Sequence, residues 1–383
     1  MDRKLQMGMV GGGPDAFIGD VHRKAAQLDG GVALVAGCFS RSAEKSKSMA
    51  KELYLDESRC YGTYQQMIEA ESAMPEGKRI DFVSIVTPNV SHAEIALAFL
   101  TAGFNVVCDK PMTFNLDQAI ELQAAVKKSG KVFALTHNYT GYPMVKLARD
   151  VVKKGMIGKV LKIIVQYPQG WLATPVEREG AKQAEWRTDP AQSGAAGCMG
   201  DIGTHAENLA EYITGLRMEE ICADLSTLVE GRRLDDDGNC LVHYENGARG
   251  LLFASQIAIG ELNALRIKLH GTKGSMSWDQ EYPNDLQVYL EDGSIQTYRR
   301  GTDAVEAISE AAARASRLPF GHPEAFFEAF GNIYKNATDT IRAKIEGREP
   351  TELELDFPNV DDGVRGMQFI GAVVKSKGQW IRF

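Results

Sequence analysis

The sequence predicts a two-part fold. An α/β N-terminal domain with a doubly wound parallel sheet comes first, and an α+β C-terminal domain with a large, mainly antiparallel, open-faced sheet follows. In the first third of the chain, short apolar runs alternate with amphipathic helical stretches, which is the pattern of βαβ units. After about Gly158, strand-like runs follow one another directly across tight turns such as Asn246-Gly247.

Five strands and four helices are predicted in the first domain. The strands are expected at residues 5–10, 32–37, 82–86, 106–108 and 132–135. The helices are expected at residues 18–28, 43–53, 92–102 and 116–128. Gly103 and Gly130 stand where helix C-termini need a residue that tolerates a left-handed backbone.

The second domain is predicted to begin near residue 141, which divides the chain into residues 1–140 and 141–383. A C-terminal segment can pack back on the first domain. Strands are expected at residues 160–166, 240–244, 251–257, 264–269, 275–278 and 286–290, and a long helix at 324–346. Residues 170–197 have few periodic apolar positions, so we predict a long functional loop there.

Composition excludes several classes of protein. The chain has 383 residues, 44% of them hydrophobic, which is enough for two full cores. It carries 43 basic and 51 acidic residues, a net charge of −8, so we expect neither a nucleic-acid nor an anionic-membrane partner. The six cysteines form no C-x-x-C pair, and no apolar stretch is long enough for a signal peptide or a bilayer span. We therefore expect reduced, mostly buried thiols and a cytoplasmic location.

A glycine-rich turn follows the first strand, in the stretch V-G-G-G-P-D-A-F-I-G-D-V-H at residues 10–22. A strand before it and a helix after it are the context of the phosphate-binding turn in a Rossmann dinucleotide-binding domain. Gly11 would allow the tight turn, and Gly13 would let the backbone approach a pyrophosphate at the helix N-terminus. The alternative is a glycine turn that binds nothing.

Two registers are open for the third small residue of this motif. Ala16 completes G-x-G-x-x-A without an insertion, whereas Gly19 gives a longer loop. We favour Gly19, because residues 14–15 read as a turn and the helical run starts around Ile18. Phe17 and Ile18, at the tip of the longer loop, are then candidate cofactor contacts.

The end of the second strand bears on the choice of nucleotide. An NAD-preferring site usually places Asp or Glu there for the ribose hydroxyls, and this chain has none at residues 37–41. Ser40 and Arg41 can hold a 2′-phosphate instead, so we predict binding of NAD(P) with NADP favoured over NAD. The alternative is an exposed Ser-Arg pair at a helix start.

Polar residues follow the third and fourth strands, whose carboxyl ends face the ligand crevice of such a sheet. Thr87 and Asn89 are candidates for the ribose and nicotinamide side of the cofactor. His92 is a further candidate, although a helix N-terminal histidine more often packs on its loop. Lys110, in Asp109-Lys110-Pro111, is placed to hydrogen-bond a substrate hydroxyl or relay its proton, whereas a surface ion pair is the simpler alternative.

A second candidate site lies far downstream. Asp201 and His205 are four residues apart, so on a helix they would share one face. A carboxylate beside an imidazole raises its basicity, which suits a general base. A helix-capping Asp with a core His is the alternative. A metal site with Cys198 would have too few ligands, and we predict no metal.

These motifs occur together in an order typical of one family. The glycine loop ending in Ile18-Gly19-x-x-His22, the Thr87-Pro88-Asn89 turn, Asp109-Lys110-Pro111, and Asp201-x-Gly-x-His205 follow one another along the chain. The sequence resembles the glucose–fructose oxidoreductase/inositol dehydrogenase/rhizopine catabolism (Gfo/Idh/MocA) family of NAD(P)-dependent sugar oxidoreductases. The resemblance covers nearly the whole chain, including residues 321–324 and 361–366.

The resemblance implies roles for individual residues. Lys110 matches the lysine of the family's E-K-P motif, with Asp109 in place of the glutamate. His205 matches the catalytic histidine, and Asp201 matches its polar neighbour, often a substrate contact. Trp186-Arg187 resembles a W-R pair that in many members approaches the cofactor, and Asn138-Tyr139 resembles the segment that lines the substrate crevice. Trp171, in the predicted long loop, is a further candidate substrate contact.

The resemblance also implies a reaction. We expect hydride transfer between the nicotinamide and a secondary alcohol of a sugar, sugar derivative or cyclitol, with His205 as general base or acid and Lys110 assisting. A glycosidase that uses bound NAD for transient oxidation is an alternative, and a non-catalytic NAD(P)-binding regulator is another. The open face of the second sheet predicts a homodimer or homotetramer.

Overall fold

A computed structural model describes residues 3–14 and 16–383, so part of the predicted turn at residues 14–15 lies outside the described residues. The chain divides into two compact units. Unit 1 comprises the described residues up to Asn138 together with Phe330–Val364, and unit 2 comprises Tyr139–Ala329 and Arg365–Phe383. The division therefore falls two residues before the predicted one, and residues 330–364 group with the first unit.

Unit 1 contains a five-stranded parallel sheet in the order β2-β1-β3-β4-β5. Its strands are β1 (Leu5–Gly11), β2 (Val32–Cys38), β3 (Phe82–Val86), β4 (Asn105–Cys108) and β5 (Phe133–Leu135). Every residue of β3 is buried, as expected of a central strand in a sheet covered on both faces. The order reverses at β1, so the ends of β1, β2 and β3 border the crevice where such sheets bind ligands.

Five helices belong to this first part of the chain: α1 (Phe17–Gln27), α2 (Ala43–Leu53), α3 (Tyr64–Ser72), α4 (His92–Thr101) and α5 (Leu116–Ser129). Side chains at the N-caps of α2, α3 and α5 each accept a hydrogen bond from the first turn; they are Ser42, Thr63 and Asn115. The α1 N-cap, Ala16, has no such side-chain bond. The backbone N–H groups at the start of α1 are thus left without a side-chain cap.

The middle of the chain carries six helices, and two more follow: α6 (Pro143–Lys153), α7 (Lys182–Arg187), α8 (Pro190–Ser193), α9 (Thr204–Thr214), α10 (Asp303–Glu306), α11 (Glu310–Arg314), α12 (Phe326–Ile345) and α13 (Val360–Ser376). Short 3₁₀ turns lie at Glu57–Arg59, Asn89–Ser91, Asn138–Gly141 and Val176–Glu179. Residues 170–197 therefore contain α7, α8 and one 3₁₀ turn. The prediction of one long loop over this segment is wrong to that extent.

Unit 2 contains a nine-stranded sheet in the order β13-β12-β11-β10-β6-β9-β8-β7-β14. Its strands are β6 (Val160–Pro168), β7 (Met218–Ser226), β8 (Asp237–Tyr244), β9 (Arg249–Ser255), β10 (Arg266–Gly271), β11 (Gly274–Asp279), β12 (Asp285–Leu290), β13 (Ile295–Arg299) and β14 (Trp380–Arg382). Only the β6–β9 pair is parallel among the described strand pairs of this sheet. The predicted fold class is confirmed.

One face of this sheet carries a row of apolar side chains. The pairs Ile164–Leu251, Leu251–Leu241, Leu241–Cys222 and Cys222–Trp380 lie directly opposite each other on neighbouring strands. Leu241, Leu251 and Trp380 are 48%, 39% and 45% exposed, respectively. We call these five side chains the sheet-face row.

All six cysteines are free thiols, and five are buried. Within the part of the chain that the structure describes, no helix combines the length and apolar character needed to cross a membrane.

Candidate active site

Close packing keeps side chains out of the glycine loop of unit 1. Gly11 and Gly12 have φ of +90° and +70°, which favour glycine. A Cβ on Gly11 would lie 2.7 Å from the carbonyl oxygen of Val86, and a Cβ on Gly13 would lie 2.5 Å from that of Phe39. The loop therefore lies against the ends of both β3 and β2.

The first turn of α1 packs directly on this loop. A Cβ on Gly19 would collide with the Cα of Gly12, so only glycine fits there. This contact favours the longer register, in which Gly19 is the third glycine of the motif. Phe17, the first residue of α1, is 64% exposed, and Ile18 is half-buried.

A buried arginine of α1, which the sequence motifs did not identify, is hydrogen-bonded to the backbone of the glycine loop. Arg23 of α1 donates a hydrogen bond to the carbonyl of Gly12 at 2.6 Å. Burial lowers the pKa of its guanidinium, partly offset by Asp20. A glycine-lined turn, uncapped helix N–H groups and a nearby cation together fit a dinucleotide pyrophosphate.

Ser40 and Arg41 directly follow the end of β2 and the next residue, Phe39. Ser40 is half-buried and its hydroxyl accepts a hydrogen bond from the Ser42 backbone N–H at 3.2 Å. Arg41 is exposed. The Cβ position of Gly13 lies 3.9 Å from the Cβ of Ser40, so the serine adjoins the glycine loop.

His92 connects the turns that follow β3 and β4. Its Nε2 lies 2.7 Å from the Thr87 carbonyl oxygen, and its Nδ1 lies 2.8 Å from that of Pro111. The Thr87 hydroxyl accepts a bond from Ser91 at 2.8 Å, and Asn89 is buried. Both ring nitrogens of His92 are directed at backbone oxygens, so a cofactor contact for this ring stays a prediction.

Asp109 turns back onto the protein beside Lys110. Its Oδ1 accepts hydrogen bonds from the Lys110 backbone N–H at 2.9 Å and from the Thr136 hydroxyl at 3.0 Å. Lys110 is half-buried. Burial, with the Lys110 charge, lowers the pKa of His137 to about 3. The aspartate thus fixes the backbone from which the Lys110 side chain extends.

In unit 2, Asp201 lies in a π-helical turn, Met199–Gly203, that leads into α9. The carboxylate of Asp235 anchors this turn, because it accepts 2.7 Å hydrogen bonds from the N–H groups of Gly197 and Met199. Burial raises the pKa of Asp235, and these bonds lower it. A π-turn changes the angular offset that the α-helical spacing of Asp201 and His205 predicts, and such turns often occur at functional sites.

Asp201 contacts two residues from other parts of unit 2. Its Oδ2 accepts hydrogen bonds from Arg187 Nε at 3.1 Å and from Gln256 Nε2 at 2.9 Å. The Arg187 guanidinium lies 4.2 Å from the ring centre of Trp186 and 5.9 Å from that of Trp171. The structure therefore brings together Asp201, Arg187 and both tryptophans named from the sequence.

His205 is buried against aromatic rings. Tyr139 meets it edge-on with ring centres 4.8 Å apart, and Tyr167 lies at 6.2 Å. The two tyrosine hydroxyls are hydrogen-bonded to each other. Tyr167 also donates to Asn263 Oδ1 at 2.6 Å, and Asn263 Nδ2 donates to Tyr139 at 3.2 Å.

Gln169 completes this set of side chains. Its Nε2 donates to Asn263 Oδ1 at 2.6 Å, and its Oε1 accepts from the Trp171 indole N–H at 3.0 Å. Burial raises the pKa of Tyr139 to about 12, although its hydrogen bonds with Tyr167 and Asn263 lower it. We call His205, Tyr139, Tyr167, Gln169 and Asn263 the His205 cluster.

Asn138 is the last residue of the first segment of unit 1, directly before unit 2 begins at Tyr139. It is buried, and its Nδ2 has no hydrogen-bond partner among the described residues. Across residues 3–14 and 16–383, no group of three or more His, Cys, Asp or Glu side chains is arranged to hold a metal ion.

Comparison with known proteins decides the family. The sequence model of an oxidoreductase family with an NAD-binding Rossmann fold matches residues 5–137, and that of the GFO/IDH/MocA C-terminal domain matches residues 145–277. The "Uncharacterized oxidoreductase YfiI" of Bacillus subtilis (strain 168) is 34% identical over 100% of this chain and 98% of its own length. The chain belongs to the Gfo/Idh/MocA family.

Solved structures of other Gfo/Idh/MocA proteins have the same fold. An inositol dehydrogenase homolog from Azotobacter vinelandii, complexed with NAD+, has a TM-score of 0.94 and 31% identity, covering 100% of this chain and 98% of that one. A levoglucosan dehydrogenase in complex with NADH and levoglucosan has a TM-score of 0.83 and 25% identity, covering 99% of both chains. These are NAD-binding oxidoreductases of the sugar and inositol type.

The Gfo/Idh/MocA motifs located some site residues and missed others. In unit 1, a Cβ on Gly13 would lie 3.9 Å from the Cβ of Ser40 and one on Gly11 would lie 3.0 Å from Cγ2 of Thr87, so both residues adjoin the glycine loop. In unit 2, the sequence did not identify Tyr167, Gln169, Gln256 or Asn263. Tyr167 and Gln256 lie at the carboxyl ends of the parallel pair β6 and β9, and the prediction of a mainly antiparallel sheet did not say which strands are parallel.

Proposed function

We propose that this protein is an NAD(P)-dependent oxidoreductase that oxidises a secondary alcohol of a sugar, sugar derivative or cyclitol, or reduces the corresponding ketone. The His205 cluster carries this proposal. It surrounds a histidine with phenol and amide groups, which both donate and accept hydrogen bonds without a net charge. Such groups suit a neutral, polyhydroxylated substrate.

His205 is the general base in this proposal. It removes the hydroxyl proton during oxidation and returns it during reduction, a role for which an imidazole is suited near neutral pH. Lys110 donates a hydrogen bond to the same oxygen and stabilises its developing negative charge. Asp201 orients a neighbouring substrate hydroxyl, supported by its bonds from Arg187 and Gln256. When bound, the nicotinamide ring supplies the hydride chemistry.

The remaining predicted contacts are assigned by position. Gly11, Gly13, Phe17 and Ile18 would hold the pyrophosphate end of the cofactor, and Thr87, Asn89, His92 and Asp109 its nicotinamide end. Trp186 and Arg187 are further proposed cofactor contacts. Asn138, Tyr139 and Trp171 would contact the substrate, which agrees with the buried Nδ2 of Asn138 that has no partner among the described residues.

The end of β2 supports NADP over NAD. It provides Ser40 and an exposed Arg41 but no carboxylate. The structural neighbours cited above hold NAD+ or NADH, so the preference for NADP rests on this chain's own strand end. In an equilibrium titration we expect NADP+ to bind at least as tightly as NAD+, and Arg41→Ala to weaken NADP+ selectively. Tenfold tighter NAD+ binding would contradict this preference.

A substrate screen tests the function. Sugars and inositols would be incubated with NAD+ and with NADP+, and the formation of reduced cofactor would be measured by its absorbance. Net reduction with at least one neutral polyol is expected. A glycosidase of the NAD-assisted kind would release sugar without net reduction. If the protein is a non-catalytic NAD(P)-binding regulator, Lys110→Ala and His205→Ala would leave every measurable activity unchanged.

We also propose a homodimer or homotetramer. The sheet-face row exposes apolar side chains in register across five strands, which favours burial against another copy of the chain. The net charge of −8 agrees with a small-molecule substrate rather than nucleic acid.

A further inference from the structure

A buried line of hydrogen-bonding groups crosses unit 1 from α12 to α1. The Ser84 hydroxyl, on β3, lies 2.7 Å from the Tyr334 hydroxyl, on α12. The Tyr334 hydroxyl lies 2.7 Å from Nδ1 of His22, on α1. All three side chains are buried, and Phe330 packs on the His22 ring with ring centres 5.0 Å apart. None of these groups has a role in the function proposed above.

The far side of the His22 ring faces a carboxylate. Nε2 is buried without a hydrogen-bond partner among the described residues, and it lies 3.9 Å from Oδ1 of Asp109. Burial lowers the pKa of His22 to about 4, against an opposing effect of Asp109. At neutral pH the ring is therefore uncharged, with one N–H and one lone pair to distribute.

The two tautomers are not equivalent in this environment. With the proton on Nδ1, the Nε2 lone pair would face the Asp109 carboxylate, which is electrostatically unfavourable. With the proton on Nε2, that N–H points toward the carboxylate, and Nδ1 accepts from Tyr334. The Tyr334 oxygen then accepts from Ser84, so every hydroxyl proton has an acceptor.

We propose that His22 is a positioning residue, held in its Nε2–H tautomer by Tyr334, which directs an N–H toward Asp109 and thereby orients Lys110. The step from Asp109 to Lys110 is direct, since Oδ1 also accepts from the Lys110 backbone N–H at 2.9 Å. The Thr136 hydroxyl holds the same oxygen at 3.0 Å. The expected effect of His22 on kcat rests on the function proposed above, whereas the tautomer of His22 does not depend on that function.

The tautomer is measured by ¹⁵N NMR of histidine-labelled protein. His22 is assigned among the seven histidines by its absence in His22→Gln. We expect a pyrrole-type Nε2 and a pyridine-type Nδ1 in the wild type. Tyr334→Phe removes the nearer hydroxyl donor to Nδ1 and leaves the more distant Ser84 hydroxyl at 3.4 Å, so its His22 signals should shift toward the Nδ1–H tautomer. Tyr298→Phe, a half-exposed tyrosine of β13, is the matched control and should leave them unchanged.

Two results would overturn the proposal. One is an Nδ1–H tautomer in the wild type, and the other is a His22 spectrum that Tyr334→Phe does not change. For the positioning role, His22→Leu should lower kcat about tenfold without changing the cofactor dissociation constant. His22→Gln keeps an N–H donor and should recover part of that loss. Equal kcat in folded wild type and His22→Leu would refute positioning, whereas absence of turnover in the wild type would refute the proposed function and leave the tautomer result standing.

Discussion

At the residue scale, His205 is the group on which the proposed chemistry depends most. It is buried and held edge-on by Tyr139, whose ring and hydroxyl are fixed in turn by Tyr167 and Asn263. In the proposed reaction, a histidine held in this way would act on the substrate hydroxyl without a rearrangement of its surroundings.

Replacing this histidine should remove proton transfer without removing the cofactor site. For His205→Gln we expect kcat to fall by about 10²–10⁴ while the dissociation constant for reduced cofactor is unchanged, since the glycine loop belongs to unit 1. Steady-state kinetics and fluorescence titration measure the two quantities. The exposed His322 provides the control, and His322→Gln should change neither. Full activity in His205→Gln would rule out the general-base role.

Two buried histidines make the stability of unit 1 depend on pH. The pKa of His22 is lowered from 6.5 to about 4 and that of His137 to about 3, mainly by burial. Below pH 6.5 the unfolded chain takes up protons that the folded chain does not, so the free energy of unfolding should fall as pH drops toward 4. The slope is up to about 1.4 kcal/mol per pH unit for each histidine.

Urea unfolding at several pH values measures this dependence. His22→Gln should flatten the slope between pH 6.5 and pH 4, and His322→Gln should not. The groups that face His22 are Asp109, Arg23 and His92, and each variant keeps all three. A wild-type stability that stays constant over this range would contradict the buried, neutral state of these rings.

At the element scale, the contact between α1 and the glycine loop positions the cofactor site. Gly19→Ala places a Cβ against the Cα of Gly12, so the start of α1 must move away from the loop. We expect cofactor binding to weaken at least tenfold and the protein to be destabilised. Calorimetric titration and thermal unfolding measure the two effects.

Gly371→Ala is the matched control for this change. Gly371 lies in α13 with open space around its Cβ position, so alanine there should stabilise the protein by about 0.5–1 kcal/mol and leave cofactor binding unchanged. Unaltered binding in Gly19→Ala would mean that the contact with Gly12 does not position the loop.

Sequence patterns missed several elements, including α6 and β7, although both bury apolar residues at regular spacing. The five strands of unit 1 are mostly apolar runs, and all were predicted. By contrast, α3 buries only Met67 and Glu71, and β13 is almost wholly exposed, so neither has an apolar pattern to recognise. The His205 cluster was only partly predicted because Asn263 and Gln169 reach it through strand pairing distant in sequence.

At the scale of the whole molecule, the sheet-face row gives the assembly proposal a direct test. Leu241→Glu introduces a charge at the middle of the row, between Leu251 and Cys222. We expect it to shift a dimer or tetramer toward monomers in light scattering. Leu228→Glu changes a leucine that is 66% exposed outside the strands and should leave the mass unchanged. A monomeric wild type would contradict the proposed assembly.

The central claim is that the protein moves a hydride between the carbon of a polyol and the nicotinamide. The most direct test uses sugars and inositols that carry deuterium on their carbinol carbons, with NAD+ and NADP+, and mass spectrometry of the cofactor. We expect net formation of reduced cofactor that carries one deuterium per molecule, and the loss of this product in His205→Gln. Reduced cofactor without deuterium, or no reduction with any member of the panel, would contradict it.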